Sequence, residues 1–131
     1  MTNSMQLPAP ADLLPQAISA ALHAGPAEFQ SRMGWVLTAL QNAFFWLMQG
    51  TPLAEALPAT VAKGGDTDTN AAICGALLGA VQGRDAVPLQ WRNAVLTCRP
   101  VALAGVAHPR PTDYWPDDAL DLAEAILVAG A

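Results

Sequence analysis

Apolar residues recur at helical spacing through most of the chain, and glycine and proline fall between the periodic stretches more often than inside them. Leu14, Ile18, Ala21 and Leu22 mark the stripe of a first helix, with Asp12 placed to cap it, Pro15 tolerated in its first turn and Gly25-Pro26 closing it. From about Arg32 to Gln49 the pattern changes. Trp35, Val36, Leu37, Leu40, Phe44, Phe45, Trp46, Leu47 and Met48 leave hardly any polar face, which predicts a helix enclosed in the middle of a bundle. Gln41 and Asn42 interrupt that surface, and each needs a hydrogen-bond partner if buried.

Gly50 supplies a left-handed stop, Thr51-Pro52 a start for the next helix, and Pro58 a kink or an early end within it. Gly64-Gly65 breaks the pattern again, and Asp66 to Asn70 leads into a helix over Ala71 to Gln82 that Gly83 closes. Its Ala72, Gly75, Ala76, Gly79 and Ala80 are small enough to let a neighbour approach closely, and the expected neighbour is the Trp35 to Met48 helix. Pro88 opens a shorter helix through Leu96 with Trp91 and Val95 turned inward. A proline-rich loop from Pro100 to Pro111 precedes a last helix from about Pro116 to Ala129, stopped by Gly130. Abundant alanine and sparse β-branched residues agree with this all-α pattern, and no internal repeat is visible.

Composition narrows the function classes. A chain of 131 residues with 53% hydrophobic content has the size of one domain with a core, so residues 1–131 are expected to form a single unit with a flexible start over residues 1–10. The net charge is −5, and the six basic residues, Arg32, Lys63, Arg84, Arg92, Arg99 and Arg110, are scattered. No basic patch is available to a nucleic-acid backbone. Asp113, Asp117, Asp118, Asp121 and Glu124 crowd the carboxy-terminal stretch and are expected to meet solvent. The longest apolar stretches fall short of the roughly 20 residues a membrane span needs, and Met1-Thr2-Asn3-Ser4 does not open a secretory signal. Cys74 and Cys98 lie in apolar contexts without histidine at ligand spacing, which suggests reduced thiols and a cytoplasmic protein. Neither histidine, His23 at a helix end or His108 in the proline-rich loop, marks a catalytic base, and no nucleophile stands out.

One run carries chemistry. In Gly64-Gly65-Asp66-Thr67-Asp68-Thr69 two carboxylates are one residue apart, so an extended loop would project both to one side, with Thr69 where the helix begins. Two carboxylates and a hydroxyl are hard oxygen donors of the kind Mg2+ or Mn2+ prefers. The same four Asp/Thr residues also suit helix N-capping, although one cap would suffice. A calcium-binding EF-hand loop is excluded, because Ala71 stands where its glycine is required and Leu77 where its bidentate glutamate belongs.

The stretch GGDTDTNAAICGALLGAVQGRDAVPLQWR resembles the carboxy-terminal metal motif and following helix of the ADP-ribosylglycohydrolase family, and GWVLTALQNAFFWL resembles the buried helix just upstream. The resemblance covers about Met33 to Pro100 and extends through Tyr114-Trp115-Pro116 toward the end. It implies the carboxy-terminal part of an orthogonal helical bundle and a metal-dependent hydrolase that releases ADP-ribose from a modified side chain or small molecule. It further implies that Asp66, Asp68 and Thr69 are ligands of a two-metal Mg2+ or Mn2+ centre, with Gly64, Gly65 and Thr67 shaping the loop. Members of the family carry further ligands on a Thr-Asp-Asp run in the amino-terminal half, and this sequence contains no such run. Three roles are therefore expected to compete: a truncated hydrolase, a hydrolase completed by a separate amino-terminal chain, and a non-catalytic module that associates with itself through exposed apolar surface.

Overall fold

In the computed structural model, which describes residues 10–31, 33–103 and 105–130, every regular element is helical. The described residues hold α1 (Pro10–Ala21), α2 (Val36–Met48), α3 (Leu53–Val61), α4 (Thr67–Gln82), α5 (Leu89–Leu96) and α6 (Ala119–Ala129), with 3-10 turns at Arg84–Ala86, Thr112–Tyr114 and Pro116–Asp118. The expected all-α class is met. The flexible start expected for residues 1–10 lies, apart from Pro10, outside the described residues. The chain divides into two compact units at Val87 and Pro88.

In the first unit α2 packs against α1 and α4, and α4 packs against α2 and α3. The core is made of small and medium side chains: Ala21, Phe29, Ala39, Ala43, Leu53, Ala56, Cys74 and Leu78. Asn70, Cys74 and Leu78 recur every fourth residue along the buried face of α4. The expected neighbour α2 is met, but the glycines of α4 lie one residue further round and face α3 as well: a Cβ on Gly75 would sit 3.4 Å from Leu57 Cδ1, and one on Gly79 3.9 Å from Leu53 Cδ1.

Helix α2 departs from its expected enclosure. It begins at Val36, because Trp35 is extended at φ −76° and ψ 121°. Its buried residues are Ala39, Asn42 and Ala43, while Val36 remains 66% exposed. Two flanking helices cover only part of an all-round apolar surface. The first helix starts at Pro10, which places Asp12 in its first turn instead of at the cap, and Leu14 and Leu22 stay half exposed.

The polar interruptions of α2 find partners. Asn42 donates from Nδ2 to Thr60 Oγ1 of α3 at 3.0 Å and accepts from Trp46 Nε1 at 3.2 Å. The Cys74 thiol of α4, also fully buried, lies beside the Thr60 hydroxyl, so α2, α3 and α4 meet at this polar group. Gln41 donates to the Ala24 carbonyl at 3.1 Å and ties α2 to the segment after α1. At the far end of α4, Gln82 accepts from Leu53 N at 2.9 Å and donates to Thr51 O at 2.8 Å, satisfying backbone groups at the start of α3.

In the second unit Pro88 caps α5, which packs against the Pro116–Asp118 turn. Arg99 pairs with Asp117, and its guanidinium lies 5.7 Å from the Trp115 ring centroid. Trp115 Nε1 donates to Arg110 O at 3.1 Å. The inward orientation expected for Val95 is not found: it is 64% exposed, since an eight-residue helix packed on one short turn has little to bury against. The last helix begins at Ala119, after the turn, and Asp118 is its N-cap. No helix among the described residues is long and apolar enough to cross a membrane.

Two predictions follow from this packing. Thr60→Val keeps the shape but leaves the Asn42 amide without its acceptor, and urea unfolding should show a loss of about 1–3 kcal/mol; a change under about 0.5 kcal/mol would remove Thr60 from its central role. Burial pushes the Cys74 thiol above its ordinary range, partly offset by the Thr60 hydrogen bond, whereas Cys98 is exposed. A thiol reagent at mildly alkaline pH should titrate Cys98 at once and Cys74 only on unfolding. Because the fold favours the neutral Cys74 thiol, stability should decline as pH rises from the ordinary thiol pKa toward the raised one, and Cys74→Ala should abolish that decline.

Candidate metal centre

The chain leaves α3 through a tight double-glycine bend. Gly64 and Gly65 both take left-handed backbone angles, with φ of 77° and 69°. The preceding loop lies against them: a Cβ on Gly65 would meet the Phe29 backbone carbonyl oxygen at 2.2 Å, whereas one on Gly64 would meet the end of the flexible Gln30 side chain, Nε2, at 2.3 Å. That loop is itself shaped by Glu28, whose carboxylate accepts from Gln30 N at 2.5 Å and Ser31 N at 2.9 Å. The double glycine is thus required by conformation and by contact together.

Beyond the bend the geometry differs from the extended loop expected. Helix α4 begins at Thr67, not Ala71, so Thr67, Asp68 and Thr69 form its first turn and Asp66 is the N-cap. The Asp66 carbonyl accepts the first helical hydrogen bond, from Asn70 N at 3.0 Å, but its carboxylate makes no capping bond. The Asp66 side chain instead lies close to that of Asp68. Residues two apart do not face each other within a helix. They converge here because Asp66, at φ −80° and ψ 70°, is still outside helical geometry.

The two carboxylates sit in different surroundings. Asp66 is half-buried, and a Cβ on Gly34 would come within 3.7 Å of its Oδ2, so the lead-in to α2 closes one side. Asp68 and Thr69 are exposed. Asp68 accepts from Thr69 N at 3.0 Å, and this amide, then the Asp66 side chain, then its own amide hold its carboxyl below the usual range. Asp68 is therefore ionised at neutral pH, next to a second carboxylate and a hydroxyl. Oxygen donors in this arrangement suit a hard divalent cation, whose charge would relieve the repulsion between them.

Structure therefore brings together Asp66 and Asp68, with Thr69 adjacent in the same turn, and Gly64, Gly65 and Thr67 shape the approach. Among the described residues no group of three or more His, Cys, Asp or Glu side chains comes together to hold a metal, and His23, His108 and Cys98 are exposed. Two residues of the site escaped the sequence, Phe29 and Gly34. Gly34 carries only the weak signal of a glycine before an apolar run, and Phe29, remote along the chain, carries none.

A family model described as ADP-ribosylglycohydrolase fits residues 3–128. No curated protein and no solved structure matches.

The bend separates two costs. Gly50 has φ of 64° and open space where a Cβ would go, so Gly50→Ala should cost about 1–2 kcal/mol from backbone strain alone. Gly65→Ala adds the collision with the Phe29 carbonyl and should cost about 1–3 kcal/mol more. Equal losses for the two variants in chemical denaturation would show that the Phe29 contact does not set the loop.

Proposed function

Because the chain belongs to the ADP-ribosylglycohydrolase family, as its match over residues 3–128 shows, we propose that the start of α4 is part of a metal-assisted site for hydrolysing an ADP-ribosyl bond. The observation that carries this is the closeness of the Asp66 and Asp68 side chains at the start of α4, where the Asp66 carboxylate makes no capping bond. Asp66, half-buried at the cap, provides the fixed ligand, ionised Asp68 the charge, and Thr69 the adjacent hydroxyl. Gly64, Gly65 and Thr67 keep the bend tight. When bound, a pair of Mg2+ or Mn2+ ions supplies orientation of the sugar hydroxyls and stabilisation of charge as the bond to the anomeric carbon breaks.

Three protein oxygens fill only part of a two-metal coordination shell. Water and substrate take some of the remaining positions, and further oxygen donors of the kind a Thr-Asp-Asp run supplies take the others. The substrate is an ADP-ribosylated protein side chain or small molecule. Two free thiols fit a reducing, cytoplasmic setting.

An alternative, non-catalytic role as a self-associating module is favoured by the apolar side chains left exposed, among them Val36 and Val81 in the first unit and Ile126, Leu127 and Val128 in the second.

The two roles separate experimentally. Mg2+ or Mn2+ should raise the thermal midpoint of the chain and leave that of the Asp66→Ala/Asp68→Ala variant unchanged. With ADP-ribosylated protein and metal, ADP-ribose should be released by the unaltered chain and not by the Asp66→Ala/Asp68→Ala variant. Absence of any metal effect would overturn the metal assignment. Metal binding without release, together with concentration-dependent association in light scattering, would favour the non-catalytic role.

A further inference from the structure

The first unit holds a cavity of about 160 Å³ that the metal site does not use. Gly25, Pro26 and Phe29 line it from the loop after α1, Asn42, Phe45 and Trp46 from α2, and Lys63 from just beyond α3. We propose that this cavity binds a small aromatic anion: one six-membered ring carrying a carboxylate.

Size sets the first limit. An apolar cavity of about 150 Å³ accommodates benzene, so the space here suits a single ring with a small substituent. The walls set the second. Phe45 and Trp46 meet edge to face, with centroids 5.0 Å apart and planes at 63°, and Phe29 is buried. Three aromatic residues thus contribute to the lining, and aromatic rings are surfaces against which another ring packs well. Their positions are held. A Cβ on Gly25 would lie 3.3 Å from Phe45 Cδ1, so that ring rests on the loop backbone, and the Trp46 indole nitrogen is anchored on Asn42. A preformed pocket of this kind loses little freedom on binding.

Charge sets the third limit. Lys63 is one of only six basic residues in a chain of net charge −5, and it stands, exposed, at this cavity. A carboxylate directed toward Lys63 gains an ion pair while the ring stays among the aromatic walls. Asn42, 2% exposed, also lines it, with its amide engaged by Thr60 and Trp46. Asp66, Asp68 and Thr69 are not part of that lining, so the site stands independently of the proposed hydrolysis.

Benzoate, titrated into the full chain by ligand-observed NMR with tryptophan fluorescence as a second readout, tests the proposal. Saturable one-to-one binding with a Kd in the millimolar range is expected for so small a ligand. Lys63→Gln, a change at an exposed position, should weaken benzoate about fivefold and leave benzyl alcohol unaffected. Cyclohexanecarboxylate, which keeps the charge and loses the aromatic ring, should bind about fivefold more weakly than benzoate. Failure of benzoate to saturate, equal binding of the two carboxylates, or indifference to Lys63→Gln would each overturn the assignment.

Discussion

The first unit depends on a single buried hydroxyl. Sitting on α3, Thr60 accepts from Asn42 of α2 and lies beside the Cys74 thiol of α4, and all three residues are within 2% of complete burial. Around it the apolar core is light in large side chains, with alanines at four of its eight positions. Alanine allows helices to approach closely but specifies their register weakly, because it offers little shape to interlock. A buried polar junction has the opposite property, since any slip leaves a donor or acceptor unpaired at a cost of about 1–3 kcal/mol. Close packing therefore comes from the alanines and glycines, and registration from Asn42, Thr60 and Cys74.

That registration reaches the carboxylates through a short series of contacts. Gln41, the neighbour of Asn42, holds the Ala24 carbonyl at the root of the loop whose Phe29 backbone lies against Gly65. Gly65 turns the chain into α4, and the turn leaves Asp66 just outside helical geometry, where its side chain can meet that of Asp68. The same loop forms one wall of the aromatic cavity. The two candidate sites thus share one support, and both rest on the position of α2.

Membership of the ADP-ribosylglycohydrolase family and the chemistry of this particular chain are distinct matters. Family membership follows from a match along nearly the whole chain. Ligand capacity follows from what the helix start presents: two carboxylates, one of them held ionised by backbone amides, with no third acidic, histidine or cysteine side chain joining them among the described residues. Coordination chemistry consequently asks for further oxygen donors around any metal pair.

Sequence alone determined the helical class, the breaks at Gly50, Gly64-Gly65 and Gly83, and the identity of the metal-binding candidates. Each of these is local: periodicity, turn propensity and donor type are properties of a few adjacent residues. The need of Gln41 and Asn42 for partners was equally visible, but not the partners themselves. Tertiary structure decided those, as it decided that Gly75 and Gly79 face α3, that α2 stays partly exposed, and that Val95 points outward. It also moved the start of α4 back to Thr67, replacing an extended loop with a helix cap, and yet brought Asp66 and Asp68 together. Composition of the run could name two carboxylates, but only the bend against Phe29 could set the backbone angles that make them meet, because that contact joins residues more than thirty positions apart.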